Sequence, residues 1–302
     1  MHISEMSIKR RTYWIDEIVK LSGHFGFDST RVEAELTQEI LKNGVQALLD
    51  HLRLCGAIPE SYGHDSSEEK LYSKYTDALI SAAYSYIGMR SVVLAERADA
   101  ADVEVVAKSF SFVADAKVFR LSRTAKNQKD FKIQAMDGWK RGKPFAMVVC
   151  PLYQLPTKSS QIYEQAAARN VCVFSYSHLS ILVQLVDIVG KDRTVDLLHE
   201  IFKSVQALHA SKDATMYWQA VNRTMLGFDA KIPELWKLEK VITLEGVNIS
   251  KAIALTYLAS ERERIMHLSH DEAIRHLLDM NKIQSRMKTI EAVSDNYIMS
   301  II

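Results

Sequence analysis

The chain has 302 residues, 48% of them hydrophobic and 25% charged, enough apolar mass for one large core or one core with an appendage. A formal net charge of +1 excludes a globally polycationic protein, so any surface for a polyanion has to be local. Such a surface is visible: from Lys117 to Lys143 nine basic residues stand against two acids, a net +7 that leaves the rest of the chain at −6.

Taken in chain order, residues 1–56 predict helices. Val32, Leu36, Ile40, Leu41, Val45, Leu48, Leu49 and Leu52 recur at helical spacing, and Gly56 stands where a helix would stop. EKLYSKYTDALISAAYSYI predicts another helix, with Leu71, Tyr75, Ala78, Leu79, Ala82 and Tyr86 on one face and Gly88 behind it. The period then changes. VEVVA (103–107) and FSFVADAKVF (110–119) predict a strand pair, while FAMVVCPLY (145–153) and NVCVFSY (170–176) predict strands covered on both faces. SSQIYEQAAARN and SHLSILVQLVDIV predict the helices between and after them. From about 191 onward the pattern is helical, and Ser269 with Glu272 has capping-box spacing.

The expected fold class is therefore α/β (α+β), a mixed central β-sheet flanked by helices. It is expected as a single domain over 1–302, with a helical N-terminal region (1–90), an α/β core (91–190) and a helical C-terminal region (191–302). Cys55, Cys150 and Cys172 show no C-x-x-C spacing and read as buried thiols of a reducing compartment. The opening MHISEMSIKRRTYW lacks a secretory core, and no unbroken apolar run approaches a span of about 20 residues. A cytoplasmic protein with no membrane partner is the expectation.

Asp115 and Lys117, two apart in a strand, point to one face, while Ala114, Ala116 and Val118 point to the other. A carboxylate and an ammonium so placed can hold a divalent metal and a water beside a phosphate. The same pair can equally be a surface ion pair, and Glu68/Lys70, Asp130/Lys132 and Asp229/Lys231 repeat its spacing. Two features set Asp115/Lys117 apart: a second acid, Asp102, heads the preceding strand, and the basic segment follows. That is the layout of a PD-(D/E)xK nuclease core.

The segment VADAKVFRLSRTAKNQKDFKIQAM resembles the active-site and recognition segment of the HindIII-type type II restriction endonucleases. The likeness spans about residues 55–190, through IPESYG and SSEEKLYSKYTDA upstream and PLYQLPTKSSQIYEQ and NVCVFSYSHLSILVQL downstream. The resemblance implies catalytic roles for Asp102, Asp115 and Lys117. Asp102, Asp115 and the carbonyl of Ala116 would ligate one or two Mg²⁺ per active site. Lys117 would orient the attacking water. Glu96 matches a further acid of the family and is either an auxiliary catalytic carboxylate or a surface charge beside Arg97. The chain departs from the pattern in a slightly shorter gap between Asp102 and Asp115, and in Ala101 where the superfamily has proline.

The resemblance also implies a DNA-reading element at Arg123, Thr124, Ala125, Lys126, Asn127, Gln128, Lys129 and Asp130. Arginine and lysine donate to guanine, amides pair with adenine and an aspartate accepts from cytosine. Its plain alternative is a solvated helix start capped by Asp130. The implied activity is Mg²⁺-dependent hydrolysis of double-stranded DNA at the palindrome AAGCTT, cut after the first A to leave 5′-phosphates. A palindrome implies a homodimer, and a cognate DNA methyltransferase is the expected companion, not a bound partner.

Two other readings use the same residues. A sequence-specific DNA-binding protein without nuclease activity leaves two acids in a polyanion groove unexplained. A structure-reading repair nuclease would need mainly phosphate contacts, against which the amide-rich segment argues. His267 and His270 give H-x-x-H, but with no cysteine partner they do not read as a zinc site. No glycine-rich nucleotide loop or nucleophile elbow occurs.

Overall fold

A computed structural model describes residues 2–94, 100–123 and 128–293, with the backbone alone of Gln128 and Lys129. Helix α1 (Glu5–Val19) starts at Ser4, whose side chain accepts from the Ser7 amide. α2 (Phe25–Leu54) buries Val32, Leu36, Leu48, Leu49 and Leu52 of the apolar series expected of it, with Ile40 and Val45 half-buried and Leu41 exposed. It is two helices joined at Gly44, whose backbone (φ 73°, ψ −166°) is open essentially to glycine alone. α3 (Ser67–Ile87) is capped by Ser66 and ended by Gly88 in the left-handed region, φ 112°.

The sheet follows from the change of period. Among the described residues it has five strands in the order β2 (Arg90–Val93), β3 (Val103–Val106), β4 (Ser111–Ala116), β6 (Phe145–Cys150) and β7 (Val171–Ser175). β2, β3 and β4 run antiparallel, and β4, β6 and β7 run parallel. β1 (Ala57–Ile58) and β5 (Phe119–Arg120) form a separate parallel pair. Every residue of β6 and β7 is buried, as continuous apolar runs in parallel strands require. Parallel neighbours need crossovers. Here these contain α4 (Gln128–Phe131) and α5 (Ile133–Trp139), then α6 (Gln161–Ala168).

α7 (Tyr176–Val189), α8 (Lys191–Gln206) and α9 (Ala214–Phe228) follow. α3 packs on β2, β3, β4 and α7, α5 on β4, β6 and β7, and α6 and α8 on β7. The mixed sheet flanked by helices is thus the architecture expected from the sequence. β2 is an addition: at four residues of alternating exposure on a sheet edge, it left too short a pattern to read. The three cysteines are free and buried.

The chain divides into two compact units, residues 1–254 and 255–302. α10 (Ile232–Met266) begins in the first. There Glu239 receives Arg53 of α2 at 2.7 Å, and a Cβ at Gly246 would meet the Arg53 carbonyl at 3.1 Å, so α10 lies close on the end of α2. Among the described helices α10 is long and apolar enough to cross a membrane by length and composition, with a mean hydropathy of 1.2 over 18 residues. Charges scattered along it hid this from a reading of unbroken runs, and its Glu239, Ile242, Gly246 and Ser250 are buried. The second unit holds the rest of α10 with α11 (His270–Met280) and α12 (Ile283–Glu291). α11 opens on the expected capping box of Ser269 and Glu272.

Candidate active site

Strand pairing decides where the acids go. β3 and β4 pair Glu104 with Val113 and Val103 with Ala114, and one further step of that register sets Asp102 opposite Asp115. β4 lies inside the sheet between β3 and β6, so Asp115 is only 2% exposed. β4 ends at Ala116, yet the Lys117 amide still donates to the Val149 carbonyl at 2.7 Å, and the Tyr176 hydroxyl donates to the Lys117 carbonyl at 3.1 Å. Held in extended register, Lys117 shares a face with Asp115 and its ammonium bonds the Asp115 carboxylate.

Helix α3 supplies what went unread in the sequence. Asp77, 2% exposed, accepts from the Ala116 amide at 3.3 Å. One turn earlier Lys74 places its ammonium 2.7 Å from Asp102 Oδ1 and 3.9 Å from Asp77 Oδ2. Carboxylate oxygens of Asp77, Asp102 and Asp115 all lie within 4.8 Å of one another. In the sequence Asp77 is an acid at helical spacing from Lys74 and Ser81, the pattern of an ordinary polar helix face. A second trio, His64, Asp65 and Glu69, gathers at the surface, where Glu69 already accepts from the Asp65 amide at 2.7 Å.

Burial and crowding oppose the ionisation of the two most buried acids, Asp77 and Asp115. Burial, with Asp102 and Asp115 beside it, pushes the Asp77 carboxyl well above the usual range. Burial likewise raises Asp115, against the pull of Lys117. For Lys117 burial works to lower the ammonium, but Asp115, Asp102 and Asp77 outweigh it and hold the lysine charged. Closely spaced carboxylate oxygens are the donors that a hard divalent cation takes, and such a cation would favour the ionised forms of Asp77 and Asp115. The residues present fit one.

Beside the cluster opens a cleft of about 720 Å³. Lys70, Lys117, Arg120, Arg123 and Lys132 line it with Phe119, against the acids Asp65, Glu69 and Asp130. Arg120 is fixed by the Gly63 carbonyl at 2.9 Å and by Glu69 at 3.4 Å, while Arg123 pairs with Asp130. Lys132, not Asp130, occupies the N-cap of α5, with φ 47° and no side-chain cap bond. Glu96, Thr124, Ala125, Lys126 and Asn127 lie outside the described residues, as do the side chains of Gln128 and Lys129. Lys117, Arg123 and Asp130 thus share the cleft wall, with Asp115 directly behind Lys117.

A mixed sheet with acids gathered at one end, beside a cleft lined by five basic side chains, is the fold of a restriction endonuclease. The comparisons carry this further. The model of the HindIII restriction endonuclease family matches residues 11–294. The chain is also 34% identical over 262 residues to the type II restriction enzyme HindIII of Haemophilus influenzae, covering 84% of this chain and 85% of that protein. The chain belongs to the HindIII restriction endonuclease family and is a type II restriction endonuclease, with double-stranded DNA as its substrate. The match runs beyond residues 55–190, into both helical regions.

Proposed function

We propose that this enzyme cuts AAGCTT after the first A on both strands, using Mg²⁺ and leaving 5′-phosphates. The observation that carries the reading is the meeting of Asp77, Asp102 and Asp115 within 4.8 Å, with Lys117 bonded to Asp115 at the edge of the basic cleft. Asp102 and Asp115 would hold the metal, with the carbonyl of Ala116, and Asp77 joins them as a third acid. Bound there, the ion supplies Lewis-acid polarisation of the scissile phosphate and a more acidic water. Lys117 orients the attacking water and offsets charge growing on the phosphate. Asp115 fixes the Lys117 ammonium for that task, and Asp77 fixes the end of β4 through the Ala116 amide. In-line attack on phosphorus leaves a 3′-hydroxyl opposite the 5′-phosphate.

In the same reading Glu96 is an auxiliary carboxylate, and Arg123, Thr124, Ala125, Lys126, Asn127, Lys129 and Asp130 read bases. Arg123 and Asp130 are paired with each other, so contact with a base through either one exchanges that ion pair for a base edge. Regions 1–90, 91–190 and 191–302 act as one endonuclease unit. Symmetric cutting of a palindrome needs two copies of the site, hence a homodimer. The enzyme works in the cytoplasm beside a cognate methyltransferase that protects the host's own sites.

The test is digestion of a long DNA of known sequence, with Mg²⁺ and with EDTA, followed by sequencing of the fragment ends. Discrete Mg²⁺-dependent fragments cut after the first A of AAGCTT are expected; discrete ends at another sequence would refute the assigned site. Asp115→Ala should lose cleavage while retaining salt-sensitive binding to a duplex carrying the site. Cleavage by that variant at the wild-type rate would overturn the role given to the acids.

A further inference from the structure

We propose that Lys74 competes with the divalent cation for Asp102 and so sets how tightly the site takes its metal. The inference rests on the reading that Asp77, Asp102 and Asp115 hold that metal. The two lysines divide the three acids between them: Lys117 lies on Asp115, and Lys74 reaches Asp102 at 2.7 Å and Asp77 at 3.9 Å. With all three carboxylates ionised the five groups sum to one negative charge, and a divalent cation would turn that to one positive.

An ammonium and a metal on one carboxylate repel each other, all the more strongly in a site this buried. For Asp102 to ligate a metal, Lys74 therefore has to give up or loosen its contact. The structure suits it to that exchange. Its charge rides on a flexible four-carbon stem from α3, so the ammonium can withdraw from Asp102 while the helix backbone stays in place. Lys74 is thus a positioning residue acting through Asp102, in contrast to the role of Lys117 toward the water.

The experiment is titration calorimetry of the metal-free enzyme with Mn²⁺, together with thermal unfolding in EDTA and across a MnCl₂ series. Lys74→Met keeps the length of the stem and removes the charge, and Lys74→Gln removes the charge on a shorter stem while keeping a donor. Both should bind Mn²⁺ about tenfold more tightly than wild type. Both should unfold at a lower temperature in EDTA and recover with Mn²⁺, while Lys74→Arg stays near wild type. Unchanged, weaker or unmeasurable Mn²⁺ binding by the two neutral variants would overturn the proposal. Asp102→Asn separates the two layers of the argument. If it loses Mn²⁺ and the neutral variants match wild type, the role of Lys74 fails and the metal site stands. If Asp102→Asn binds like wild type, the metal reading itself is wrong.

Discussion

His178 is held between two tryptophans, stacked on Trp218 with ring centroids 5.4 Å apart and edge-on to Trp236 at 5.1 Å. Ser175 Oγ meets one ring nitrogen at 2.5 Å and Asn222 Oδ1 the other at 3.1 Å. Burial lowers its pKa to about 4, with the Asn222 contact pulling the other way. A histidine that titrates lower when folded than its unfolded value of about 6.5 stabilises the fold above that pH. The contribution is lost as pH falls from there through the folded value. The loss is on the order of 3 kcal/mol for a fully buried ring. Denaturant melts at pH 7, 5.5 and 4 should show wild type losing that much more stability than His178→Asn, and parallel losses would refute it. Nothing in FSYSHLSIL announces this environment, because Trp218 and Trp236 come from other helices. By contrast Asp115 and Lys117 were legible, since a charged pair at period two inside an apolar strand is a local anomaly. Asp77 was not, because its partners are 25 and 38 residues away and its own helix looks ordinary.

At the scale of elements, periodicity carried most of the fold. β6 and β7 were legible as runs buried on both faces, and α3 from its apolar stripe and terminal Gly88. What escaped was short or conformational: the edge strand β2, the two-residue pair β1–β5, and the break inside α2. The apolar residues of α2 keep their period on both sides of Gly44, so hydrophobicity alone predicts one helix where the backbone makes two. The break depends on a positive φ of 73° with ψ near −166°. A Cβ at Gly44 would meet nothing within 4 Å, so the cost of adding one is backbone strain without a clash. Gly44→Ala should therefore lower stability by about 1–3 kcal/mol, or straighten the helix and disturb the packing of Val32 and Leu36. Equilibrium unfolding decides this, and an unchanged or stabilised variant would show that the break is not fixed by that residue.

For the whole molecule, the proposed cutting of both strands calls for a second active site. In the second unit neither α11 nor α12 buries a residue, yet Leu277 is 54% exposed, Met280 67% and Ile290 71%. Helices that fully bury no side chain have little to hold them, since most helical stability comes from packing an apolar face. On the palindromic cutting proposed above, a second copy would supply that cover by symmetry, and a stable dimer needs about 800 Å² from each partner. The expected outcome is sedimentation at twice the 34.3 kDa chain mass, with dissociation on introducing Leu277→Asp together with Ile290→Asp. Each isolated copy would still carry Asp77, Asp102, Asp115 and Lys117, so the monomeric variant should nick one strand where the dimer cuts both. A variant that stays dimeric and cuts both strands together would place the interface on another surface. If it were monomeric and still made concerted double-strand cuts, the two-site basis for dimerisation would itself fail.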